Sequence, residues 1–80
     1  MDTAVAFGRV LRRLRKDAKL TQEALGFEAD IQRIHISLYE LGKNQPTLNS
    51  VFKLGKALKI SGKDLVGLVE AEMSKSRRKN

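Results

Sequence analysis

Apolar residues recur along this chain at spacings of three and four and nowhere alternate with polar ones, so the pattern predicts helices and no strand. Five segments carry it. The first covers about Thr3 to Ala18, with Phe7, Leu11, Leu14 and Ala18 on one stripe. Gly8 within it costs roughly 1 kcal/mol against alanine. The second opens at Thr21, a good N-cap, and runs to about Glu28. The third covers about Gln32 to Leu41 and ends at Gly42, a natural left-handed cap. The fourth opens at Thr47 and reaches Leu58, with Leu48, Val51, Phe52, Leu54 and Leu58 expected in the core. The fifth opens at Ser61, where Asp64 completes something close to a capping box, and continues through Leu65, Val66, Leu68 and Val69.

The second and third segments stand apart. They are short, a three- or four-residue turn separates them, and Leu25, Ala29, Ile31, Ile36 and Tyr39 form a shared apolar stripe. Gly26 supplies the small residue that two steeply crossing helices need where their backbones approach. At the turn, where glycine is usual, Asp30 stands, one of the few other residues that tolerate positive φ. This is the pattern of a helix-turn-helix. An all-α domain over residues 1–73 is expected, with a basic, frayed tail over 74–80.

Charge fits the same reading once it is dissected. The 80 residues carry 16 Lys and Arg against nine Asp and Glu, a formal +7. Lys75, Arg77, Arg78 and Lys79 lie in the tail and every acid precedes it, so the body holds only +3 of that excess. More telling is the cluster of Arg9, Arg12, Arg13, Arg15, Lys16 and Lys19 in one segment. The tail run is either simply solvated or adds non-specific attraction to nucleic acid. The chain has no cysteine and one histidine, which excludes disulfides, thiolate metal sites and histidine metal clusters and favours an intracellular, cytoplasmic setting. No apolar run approaches the roughly 20 residues that span a bilayer, and the N-terminus lacks a signal-peptide pattern. No nucleophile–base pair, metal cluster or phosphate-binding glycine loop is readable, so no enzyme, cofactor or small-molecule ligand is expected.

The segment LTQEAL…IHISLYELGKNQPT resembles the Cro/repressor-type family of bacterial and phage regulators, also called the xenobiotic-response-element family. Thr21-Gln22-Glu23, Ile36-Ser37, Tyr39-Glu40, Gly42 and Pro46-Thr47 carry the likeness, which spans about Val10 to Leu65. It implies a five-helix, lambda-repressor-like domain that regulates transcription by placing its third helix in the major groove of double-stranded DNA. The base-facing positions map to Gln32, Arg33, Ile34, Ser37 and Leu38. Arg33 either hydrogen-bonds guanine O6 and N7 or only touches phosphate. Ile34 and Leu38 depart from the commoner polar residues. They either meet thymine methyls or pack on protein, and Leu38 also fits the edge of the core.

The resemblance makes Gln22 a phosphate clamp at a helix N-terminus, with an ordinary exposed residue as the bland alternative. It places Lys43, Asn44 and Gln45 on the DNA backbone, where contacts position without specifying. It gives His35 a phosphate contact, against a partly buried alternative. It pairs Glu40 with Arg15 in a largely buried ion pair. It also implies a homodimer reading two half-sites about 34 Å apart, with Leu65, Val66, Leu68 and Val69 as the expected interface. A protein-interaction module such as an antitoxin that also binds DNA remains the competing reading.

Overall fold

The computed structural model describes residues 1–77. Among the described residues there are five helices: α1 Thr3–Asp17, α2 Gln22–Ala29, α3 Arg33–Glu40, α4 Leu48–Ala57 and α5 Gly62–Arg77. No strand occurs among the described residues. α1 packs on α3 and α5, α2 packs on α3 and α4, and α4 packs on α5. Every helix contributes at least one fully buried large side chain: Val10 and Leu11, Leu25, Ile36, Leu54 and Leu65. Each is worth about 1.5–3 kcal/mol of burial, so the five-way junction is the energetic centre of the fold.

The helix starts follow the sequence closely. Asp2, Thr21, Thr47 and Ser61 each accept a hydrogen bond from the backbone N–H three residues on, at 2.9–3.0 Å. The helix ends repeat one device. After α1, α2, α3 and α4 a residue with positive φ turns the chain: Lys19, Asp30, Gly42 and Lys59. The next N–H donates back to the carbonyl five residues before it, from Leu20, Ile31, Lys43 and Ile60. In three of the four turns that next residue is apolar and folds back against the core, as Leu20, Ile31 and Ile60 do. In the fourth it is Lys43, which is exposed.

Three details differ from the sequence expectation. Ala18 caps α1 but is exposed, because the helix ends at Asp17. Leu48 and Phe52 are 66% and 55% exposed rather than buried. They lie along one flank of α4, and the core occupies the side of Val51 and Leu54. α5 also continues through residues 74–77, assigned to the tail by sequence, while Arg78 and Lys79 lie outside the described residues.

Candidate nucleic-acid interface

The turn at Asp30 adopts the left-handed conformation, φ 56° and ψ 48°. A side chain at Gly26 would bring its Cβ within 2.5 Å of the Ile31 carbonyl oxygen, so only glycine lets α2 and the turn meet. α3 is fixed from below by Ile36 and Tyr39, and the Tyr39 ring meets Phe7 edge-on at 6.1 Å. The opposite side of α3 is open. Gln32, Arg33, Ile34 and His35 are exposed, Ser37 and Leu38 half-buried, and Lys43, Asn44 and Gln45 exposed in the loop beyond. The exposure of His35 removes its partly buried alternative; Leu38 is half-buried.

α3 also starts differently from its neighbours. Its N-cap is Gln32, whose side chain makes no capping hydrogen bond. The first N–H groups of this one helix therefore keep no side-chain partner, and its partly positive end faces solvent beside Arg33.

The acid of α3 is turned away from this surface. Arg15 Nε and Nη2 donate to Glu40 Oε2 and Oε1 at 2.6 and 3.0 Å, and Arg15 Nη1 donates to the Leu20 carbonyl at 2.8 Å. The two side chains are only 11% and 5% exposed. Hydrogen bonding to Glu40 raises the Arg15 pKa above its ordinary value, burial opposes it, and the Coulomb attraction of Glu40 adds to the rise. Gln22 joins the same cluster, with Nε2 donating to Glu40 Oε1 at 3.1 Å. It is half-buried and held, not a free surface residue.

The expected interface on α5 is corrected. Leu65 is fully buried and Val69 only 7% exposed, both within the core of this chain, so neither can serve a partner. Val66 is 45% exposed and Leu68 is half-buried. Leu65, Leu68 and Val69 pack within or against this chain's own core, and Val66 is left outside it.

Sequence reasoning missed three features. Phe27 is 84% exposed beside Gln32 and Arg33; it follows Leu25 by two positions, which on a helix is the opposite side. Leu41 is 63% exposed at the end of α3. Glu72 takes the core-facing position one heptad after Leu65, 8% exposed, and receives a hydrogen bond from Arg13 at 3.2 Å. Among the described residues no group of three or more potential ligands gathers to hold a metal ion, and no helix is long and apolar enough to cross a membrane.

A short helix held on a capped scaffold, with cations and amides outward and its carboxylate inward, defines a helix-turn-helix DNA-binding domain. The helix-turn-helix family matches over residues 11–65. The control protein C.BamHI of Bacillus amyloliquefaciens is 38% identical over 61 residues, 75% of each chain. The crystal structure of the restriction–modification controller protein C.AhdI from Aeromonas hydrophila is 35% identical. The likeness covers 78% of this chain and 94% of that one, with a TM-score of 0.75. The DNA-binding domain of the P22 c2 repressor is 32% identical over 82% of this chain and 86% of that one, with a TM-score of 0.73. The chain belongs to the helix-turn-helix family of the Cro/repressor type, and is a DNA-binding transcriptional regulator rather than an enzyme.

Proposed function

We propose that the chain acts in the cytoplasm as a homodimer that reads a near-palindromic operator, with α3 of each copy in the major groove. The observation that carries this reading is the sidedness of α3: Arg33 and His35 are exposed on it, while Glu40 is withdrawn into its pair with Arg15. Arg33 contacts base edges, with Gln32, Ile34, Ser37 and Leu38 around it. Gln22, His35, Lys43, Asn44 and Gln45 hold the phosphates and set the register. Relatives named as control proteins support a role in governing restriction–modification genes.

The dimer uses the α4–α5 edge. Phe52 lies over Gly62, where an added Cβ would stand 2.6 Å from the ring. Leu48 is one turn before Phe52 on α4, and Val66 one turn after Gly62 on α5. The three exposed apolar side chains thus share one region, suited to a second copy of itself.

Selection of bound duplexes from a random pool, at stated salt, tests the whole reading. It is expected to return a near-palindrome. Arg33→Ala should relax one position per half-site by about 1–3 kcal/mol, whereas Lys43→Ala should weaken all sequences alike and lower the salt slope by about 1. In sedimentation, Phe52→Asp should give monomers under conditions where the native chain is dimeric. A chain that ignores every duplex at low ionic strength would overturn the proposal.

A further inference from the structure

A hollow opens where the C-terminal ends of α1, α2 and α4 meet. Its volume is about 270 Å³, and Ala18, Leu20, Glu28, Ala57, Leu58 and Lys59 line it. Leu20, Ala57 and Leu58 are half-buried and pack against the core, so the floor is apolar. Glu28 and Lys59 are exposed and form a charged rim. None of the residues proposed for DNA contact or for the dimer lines it. The Leu20 carbonyl accepts from Arg15 Nη1, so the hollow adjoins the cluster beneath α3.

The charges around this floor select a dipolar guest. Helix C-termini carry partial negative charge. Three converge here, and the Glu28 carboxylate lies in the last turn of α2. Together they favour an ammonium group. Lys59 holds the left-handed position after α4, with φ 60°, and offers a cation to a carboxylate. Among the described residues the ion pairs engage Glu40, Glu72 and Asp30, and neither Glu28 nor Lys59 enters one. A plain carboxylate meets Glu28 and three negative helix ends. A plain ammonium meets Lys59. A molecule bearing both groups and a hydrocarbon side chain satisfies rim and floor together. The volume falls just below the roughly 300 Å³ at which drug-sized sites begin, which suits a guest of amino-acid size.

We infer that this hollow binds a free α-amino acid with an apolar side chain. The α-ammonium meets Glu28 and the helix ends, and the α-carboxylate meets Lys59. The side chain lies on Leu20, Ala57 and Leu58. A residue within a peptide has lost both charged groups to amide bonds, and a chain terminus keeps one, so the free amino acid is the guest that fits. The inference does not rest on α3 reading DNA, and either can fail alone.

L-Leucine is the probe, titrated into the isotope-labelled full chain while NMR follows the backbone amides. Saturable shifts should centre on Ala18, Leu20, Glu28 and Ala57 to Lys59, with a Kd of about 1 mM. Kd should fall from alanine through valine to leucine, roughly threefold for each carbon buried. The analogue 4-methylpentanoate lacks the ammonium, and 3-methylbutylamine lacks the carboxylate. Each should bind roughly three- to fivefold more weakly than leucine, the effect of one lost ion pair at an exposed rim. Glu28→Gln should weaken leucine by the same factor and leave 4-methylpentanoate unchanged. Lys59→Gln should weaken leucine likewise and leave 3-methylbutylamine unchanged. Both positions are exposed, so the melting midpoint should hold in each variant. No saturable shift up to about 20 mM leucine overturns the site. Glycine binding as tightly as leucine overturns the apolar floor, and with it the proposal. Either analogue matching leucine, or leucine binding indifferent to both substitutions, overturns the charged rim and the proposal equally.

Discussion

α1 reaches its two neighbours through arginine, and the two contacts differ in kind. Toward α3, Arg15 grips Glu40 with two hydrogen bonds inside a nearly dry cluster that Gln22 and the Leu20 carbonyl complete. Toward α5, Glu72 is equally hidden but its cations are not. Arg13 lies 3.2 Å away with a side chain 44% exposed, while Arg9 and Lys75 stand at 3.9 Å and are still more open. One contact fixes a geometry; the other surrounds an acid with solvated charge. The fixed one lies beneath α3, so rigidity is concentrated where the position of that helix is set.

Breaking the fixed contact should cost most. Arg15→Ala leaves Glu40 buried and unpaired, and urea unfolding should show a loss of about 3–5 kcal/mol. A midpoint shift worth under about 1 kcal/mol would refute that account. Because the Arg15 pKa is raised, its contribution is complete below the unfolded pKa and fades only as pH climbs through the folded one. Both lie far above working conditions, so on the arginine's side the loss should stay constant from about pH 6 to 10. Gly8→Ala comes next. Helix propensity alone predicts a gain of about 1 kcal/mol. The added Cβ, however, would sit 2.3 Å from the Tyr39 carbonyl oxygen and 2.9 Å from that of Glu40. Forcing α1 from α3 should destabilise by about 1–3 kcal/mol, and a stabilised Gly8→Ala would show that α1 slides freely over α3.

The open contact should yield less. Glu72→Ala is expected to lose about 1–2 kcal/mol, between the values for a buried charged hydrogen bond and an exposed pair. Arg9→Ala should change thermal stability by under about 0.5 kcal/mol. Molar salt sharpens the distinction: it should erase most of the Glu72 effect and leave the Arg15 effect in place.

The same distinction marks what the chain's residues disclose. Caps and turns are local, so Thr21, Thr47, Ser61, Asp30 and Gly42 can be read in sequence, and so can the helices they bound. The sides of a wide apolar helix are not local. α4 carries Leu48, Val51, Phe52, Leu54 and Leu58, and only the position of α5 decides which flank is covered. Leu48 and Phe52 lose that choice, whereas Leu65 and Val69 of α5 win it. Glu72 was invisible for a related reason: an acid at a core-facing position makes sense only once Arg13 is known to lie opposite. Phe27 lies two positions from the buried Leu25, so its exposed side of α2 is legible from helical spacing alone. The open side of α3 was expected from the resemblance, whereas the exposure of Leu41 at its end was not.

Glu40 serves two masters through two donors. An amide nitrogen bears two hydrogens, and with one of them directed at Glu40 the head of Gln22 is aimed before any duplex arrives. In the proposed complex the second hydrogen meets a phosphate already oriented, with little left to freeze out. Drift at position 40 would therefore be felt twice, once in the melting curve and once in the grip on the backbone, and no compensating change at Arg15 alone would repair both.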